Sequence, residues 1–209
     1  PLWEYSPMHP ANNVQAIGPT DKEQVYSLAG GDLLAAQEAL VRKLVTELNE
    51  FDNLYYEICN EPYSRHDHTA YLDWQNHMAE IIVATEQALP NRHLIARNVQ
   101  NRTLRVTDLH PAFSIINFHY ALPEAAQWNY HLPLVLADDE TGFAGQSATP
   151  YRKEAWRFLL SGGGIYSHLD YSFTTSHPDG TYQDRQQTPG YGGPDLRNQL
   201  VFLRRFLEE

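Results

Sequence analysis

Short apolar runs alternate along the chain with longer stretches in which apolar residues recur every three or four positions. Residues 54–58, 93–96, 113–118, 132–137 and 165–169 are mostly apolar runs, and residues 2–8 read as a further one that opens the chain. Their length and near-continuity suit strands buried on both faces. Between the first two runs, Leu33, Leu40, Leu44, Leu48 and Phe51 fall three, four or seven apart, with Val41 and Val45 widening the stripe. That spacing predicts an amphipathic helix, with Asp32 as its N-cap after Gly30 and Gly31. Further helices are expected over residues 69–89, stopping before Pro90, over 151–160, broken by Gly162 to Gly164, and over 194–207. Residues 98–111 read as irregular with at most one short helix, and 174–193 as a loop rich in Gly, Pro and Gln.

Apolar strands separated by helices imply an α/β fold with a mostly parallel sheet. Four of the runs end alike, passing from apolar residues into a polar cluster: Asn60-Glu61, His119-Tyr120, Asp138 to Glu140, and His168 to Asp170. A (β/α) barrel gathers such strand ends on one rim, where its chemistry sits. A doubly wound sheet would instead place chemistry at one switch point, and the first strand is followed by no Gly-rich phosphate loop. The expectation is a single (β/α) TIM-type barrel domain over residues 1–209.

Composition narrows the partners. The chain carries 26 acidic and 15 basic side chains, a formal net charge of −11. Nucleic acid and anionic membrane surfaces would be repelled, whereas a neutral substrate such as a sugar would not. No apolar run approaches the ~20 residues of a membrane span, and no leader pattern is visible in these residues. Tyr is frequent at 13 residues, which suits both a carbohydrate cleft and ordinary packing. The single cysteine, Cys59, excludes an internal disulfide. It reads as a small buried residue, and no Gly-x-Ser-x-Gly elbow offers a serine nucleophile.

Ile58-Cys59-Asn60-Glu61-Pro62 resembles the Asn-Glu-Pro motif that ends barrel strand 4 in clan A glycoside hydrolases, the group that contains the cellulase-like family 5 enzymes. Asn117-Phe118-His119-Tyr120 resembles their strand 6. Leu136-Ala137-Asp138-Asp139-Glu140-Thr141-Gly142 resembles strand 7, which carries the nucleophile. The three segments stand in family order, each after an apolar run.

The resemblance implies a retaining β-glycosidase or β-glycanase that needs no cofactor and no metal. Retention uses one carboxylic acid to protonate the leaving oxygen and one carboxylate to attack the anomeric carbon, ~5 Å apart. By resemblance Glu61 is the acid/base and Glu140 the nucleophile, with Asp138 and Asp139 as rivals of Glu140. Asn60 would bond the sugar 2-hydroxyl, Tyr120 would bond the nucleophile and hold it ionised, and His119 would line the cleft. A carboxylic acid that is desolvated beside a second carboxylate keeps its proton to higher pH, as the acid role requires. His9 and Asn13 in the loop after the first run, and His168 and Asp170 at the last strand end, are further candidate substrate contacts. Trp128 is read in the loop after His119-Tyr120 as a sugar-stacking platform, whereas Trp74 and Trp156 read as packing residues on helices. The family's last strand ends in Trp where this chain has His168-Leu169-Asp170-Tyr171, which leaves the sugar open. His66-Asp67-His68 and Asp179-Gly180-Thr181 with Asp184 are weak metal patterns that lack a full ligand set.

Six expected strands correspond in family order to strands 3 to 8. The first two βα units, with the Arg that the family carries near strand 2, have no counterpart. Such a chain is expected to be a fragment, the product of an incomplete gene, or a compact variant. It would form a homo-oligomer that covers the open edges beside its first and last strands. The rival to a working glycosidase is a barrel remnant that binds carbohydrate without turnover. An external polysaccharide substrate would suggest secretion or a periplasmic site, by family analogy alone.

Overall fold

In the computed structural model, residues 2–19, 21–62, 68–183 and 192–209 are described. His66 and Asp67, and Asp184 of the loop pattern, lie outside the described residues. The protein is α/β. Its five strands, β1 (Tyr56–Glu57), β2 (Ile95–Asn98), β3 (Ile115–His119), β4 (Val135–Glu140) and β5 (Ile165–Tyr166), follow sheet order β1-β2-β3-β4-β5. The β1–β2, β3–β4 and β4–β5 pairs are parallel. Helix α1 (Asp32–Leu48) precedes β1, α2 (His68–Glu86) joins β1 to β2, α3 (Pro123–Asn129) joins β3 to β4, and α4 (Ala148–Leu160) joins β4 to β5. Helix α5 (Pro194–Glu208) closes the chain. Strand order that follows chain order, with helical crossovers, is the succession of an incomplete (β/α) barrel.

The chain forms two compact units. The first comprises Pro1–Arg97 and His110–Ser114. The expected strand over residues 2–8 is absent: Trp3–Tyr5 is a 3-10 turn, followed by further turns. Polar side chains compete there with a sheet ladder for the backbone. The Asn12 amide donates to Glu4 O at 2.7 Å and Ser6 O at 2.9 Å, and Ser6 Oγ accepts from Met8 N at 3.2 Å. Pro7 and Pro10 have no donor to offer a ladder.

Helix α1 forms as its spacing predicts, but Asp32 is its first residue and Gly31, at φ 57°, is the N-cap. Only Leu33 and Val45 of α1 are buried, and Leu40 and Leu44 are exposed. They line a cavity of about 420 Å³ with Val41 and Val45, the Tyr56–Asn60 segment, and Trp74, Met78 and Ile82 of α2. Below it, Val45, Ala79, Ile82, Ile95 and Phe113 form the core of this unit. Trp74 is buried, donating from its indole to Gln37 Oε1 at 3.0 Å. A buried polar knot ties the end of α1 to the turn before β2. Glu86 accepts from His93 N at 3.0 Å and meets His93 Nδ1 at 2.6 Å, and Asn49 Oδ1 accepts from Asn91 N at 3.1 Å. Glu86 pushes the His93 imidazole up from its ordinary pKa by stabilising its proton.

The second unit comprises Asn98–Leu109 and Ile115–Glu209. Strand β3 is buried throughout, and Ile116, Phe118, Ala125, Ala126, Leu136 and Phe158 join strands and helices into its core. The irregular stretch after β2 holds no helix among its described residues. Its shape is set from α3: Asn129 is buried, accepts from Val106 N at 2.9 Å and donates to Leu104 O at 2.8 Å. Gly162 sits at φ 108° against the Tyr130 ring, where a Cβ would collide, so α4 ends there. Trp156 packs across onto α5, its ring centroid 5.0 Å from that of Phe206.

Candidate active site

Strands β3 and β4 position the polar cluster of the second unit. Their parallel register runs evenly from Ile115↔Val135 to Phe118↔Asp138, then shifts so that His119 pairs with Glu140. Such a bulge re-aims the side chains that follow it. Tyr120, at φ 53°, then turns the chain out of the strand while its N–H still donates to Glu140 O at 2.9 Å. A non-glycine residue held in the left-handed region is uncommon and is kept there by its surroundings. Here the Tyr120 hydroxyl donates to Glu140 Oε1, and the Tyr120 ring meets Phe143 edge-on at 5.3 Å.

His119 is almost completely buried beside the same carboxylate. Its Nδ1 lies 3.5 Å from Glu140 Oε2, and its Nε2 lies 3.2 Å from Asp139 Oδ1 and 2.7 Å from Asn98 Nδ2. The structure therefore brings together three of the expected site residues, His119, Tyr120 and Glu140, and adds Asn98 and Asp139 to them. Phe143, at φ 63° and 69% exposed, presents an aromatic ring at this rim as well. Asn98 shared the visible signal of the others, a polar residue closing an apolar run. Phe143 carried no such signal, because an isolated loop Phe has no pattern.

Asp138, two positions before Glu140 on β4, is fully buried. Its Oδ1 accepts from Ala121 N at 3.3 Å, and burial pushes its carboxyl up to about 8. Behind it, Thr141 Oγ1 meets Tyr166 OH at 3.0 Å and His168 Nδ1 at 3.1 Å. Glu154 on α4 reaches the same hydroxyl at 3.4 Å, and burial pushes it up to about 7. His168 lies tilted against the Tyr151 ring with centroids 4.1 Å apart, and burial depresses it to about 4, so its ring is neutral. The candidate substrate contact at His168 is thus part of an internal network.

Asp170 is engaged more fully. It accepts from Ser172 N at 2.9 Å, from Gly193 N at 3.2 Å and from Arg197 Nη1 at 2.7 Å. Burial raises its carboxyl, but these donors more than offset that and hold it below its ordinary value. Gly192 has no room for a Cβ because Asp170 lies against it. Asp170 clamps the segment before α5 and has its oxygens occupied. Asp170→Ala is expected to cost about 2 kcal/mol, the usual worth of hydrogen bonds to a charged group in a half-buried setting. Urea denaturation checks this, and a midpoint equal to that of the unchanged protein would refute the clamp.

Trp128 lies on α3 and not in a loop, with the Arg105 guanidinium 4.9 Å from its ring centroid. That cation occupies ring surface a sugar would use. In the first unit, Asn13 donates to Pro7 O, His9 O and Ile17 O, at 3.3, 3.0 and 2.9 Å, and accepts from Ile17 N at 3.1 Å. Its amide is spent on its own loop. His9 packs edge-on to Trp3 at 5.2 Å and accepts from Ala11 N at 3.2 Å. Both residues staple that loop. Asn60 is exposed, and Glu61, half-buried at φ 45°, follows it beyond the end of β1. Burial pushes the Cys59 thiol up to about 12, which leaves it inert as a nucleophile.

No family model matches the chain, and no curated protein matches it. A solved glycoside hydrolase family 5 structure from Bacteroides vulgatus ATCC 8482 is similar at TM-score 0.49 and 11% identity, over 69% of this chain. The chain spans 39% of that protein's length.

Proposed function

We propose that the protein is a retaining glycoside hydrolase acting on β-linked glycosides, with Glu140 as nucleophile and Glu61 as general acid/base. The surroundings of Glu140 carry this reading. Its two oxygens have different partners, the Tyr120 hydroxyl on Oε1 and the His119 ring on Oε2. Donors on a carboxylate fix the direction of its lone pairs. A carboxylate aimed from a strand end is what attack on an anomeric carbon requires.

In the first step, Glu140 forms a bond to the anomeric carbon while the glycosidic bond breaks and Glu61 gives its proton to the leaving oxygen. In the second, Glu61 takes a proton from water, and the water oxygen displaces Glu140 from the anomeric carbon. Asn60, next to Glu61, is placed in chain order to meet the 2-hydroxyl. A net charge of −11 favours an uncharged sugar substrate over an acidic one.

A slow 2-deoxy-2-fluoro aryl β-glycoside tests the central claim, because it stalls the second step. Intact-mass spectrometry is expected to show one added glycosyl group, and peptide mapping to place it on Glu140. Labelling on Asp138 or Asp139 would reassign the nucleophile. No label, with sugar binding retained, would favour a binding protein without turnover.

A further inference from the structure

His119 is surrounded in an asymmetric way that the proposed reaction does not explain. Its Nδ1 faces Glu140 Oε2 at 3.5 Å, and a carboxylate only accepts. A proton on Nδ1 has an acceptor there. Nε2 faces two different groups. Asp139 Oδ1, at 3.2 Å, accepts a hydrogen bond when Nε2 is protonated. The Asn98 amide nitrogen, at 2.7 Å, donates one when Nε2 is bare. Each protonation state of the ring thus has a partner at both nitrogens.

We propose that His119 is a two-state proton site, in which Nδ1 keeps its proton toward Glu140 while Nε2 gains or loses one between Asp139 and Asn98. Asp139 is the positioning residue that sets the balance, since its charge stabilises the proton on Nε2. Charged and titratable groups beside it include Asp139 and Glu140 from β4, with Tyr120 edge-on to the ring at 6.1 Å. Asp138, on the same strand, also feels the His119 charge. At 2% exposure the ring's charge is poorly screened by water, so each state presents Glu140 with a different field. The pair regulates the carboxylate read above as the nucleophile, and that part of the inference rests on the proposed function.

The test uses the full chain with ¹⁵N-labelled histidine and follows the imidazole nitrogens by NMR against pH. His119→Gln serves only to assign the signal. One ring is expected to keep a protonated Nδ1 throughout while Nε2 titrates. Asp139→Asn is expected to lower that midpoint by about one pH unit or more, and Asp139→Glu to restore most of it. A ring protonated on Nε2 alone, a doubly protonated ring that persists to about pH 10, or a midpoint unmoved in Asp139→Asn would each overturn the proposal. The NMR result does not depend on turnover. If the protein cleaves aryl glycosides, one limb of its kcat/KM profile is expected at the NMR midpoint and moves with it in Asp139→Asn. A profile with no such limb overturns the link to Glu140, whereas absence of any cleavage counts against the glycosidase reading alone.

Discussion

Glu140→Ala is expected to lower kcat/KM on an aryl β-glycoside by roughly 10³-fold or more, with the fold intact by circular dichroism. Neither neighbouring acid on β4 can stand in for Glu140, because Asp138 is buried and Asp139 faces the far nitrogen of His119. Glu61→Ala is expected to behave differently. An acid helps most when the leaving oxygen is strongly basic, so the first step suffers little with a nitrophenyl group and much with a sugar alcohol. The second step still needs the base. Glu61→Ala should therefore accumulate the glycosyl-enzyme on activated substrates and show a burst, while losing roughly 10²–10⁴-fold on unactivated ones. Turnover that survives both substitutions would end the assignment.

The second large effect is on stability, and its sign follows from burial. Asp138 is raised to about 8 and Glu154 to about 7, both mainly by desolvation. In the unfolded chain these carboxyls release their protons near pH 4. Between that pH and their folded values, the folded state holds protons that the unfolded chain has lost. Stability is then complete below about pH 4 and falls as pH rises, until each group ionises in the folded state too. His93, raised by Glu86, acts in the same direction above its ordinary value. His168, depressed to about 4, acts in the opposite direction, but only below the ordinary histidine value of about 6.5. The window from about pH 6.5 to 8 therefore isolates the downward slope.

Asp138→Asn keeps the shape of the protonated acid and removes its titration. Relative to the unchanged protein, it is expected to gain about 2 kcal/mol between pH 6.5 and 8, at ~1.4 kcal/mol per unit for one proton. Urea melts at the two pH values measure this. Parallel shifts in both proteins would show that Asp138 ionises freely in the fold. The same chemistry explains why β4 can carry three consecutive acids. Asp138 is buried as a neutral acid, so the three acids in a row on β4 need not bear three adjacent charges.

Much of the fold was legible along the chain, because apolar periodicity and Gly/Pro punctuation are local signals. The runs at 113–118 and 132–137 became β3 and β4 with small shifts at their ends. The run at 2–8 failed because nearby side chains, Ser6, Asn12 and Asn13 among them, take its backbone groups in hydrogen bonds. Helix α3 was missed because seven residues carry too little periodicity to stand out.

The polar strand ends named Asn60, Glu61, His119, Tyr120 and Glu140 as candidates, since residue type and position after a strand are both written in order along the chain. Direction is not. Asp138 and Glu140, two positions apart, would share a face in a regular strand, and the register shift after Phe118, which pairs His119 with Glu140, is what separates them. Partnership is not written locally either. Asp170 was separated from Arg197 by 27 positions, and His119 from Asn98 by 21. Composition and pattern alone marked these residues as polar groups at the ends of strands. Only tertiary packing decided that Asp170 is consumed in a clamp, that Asp138 keeps its proton, and that Glu140 stands beside Tyr120 and His119, because those outcomes depend on which groups are brought within hydrogen-bond reach and which are removed from water.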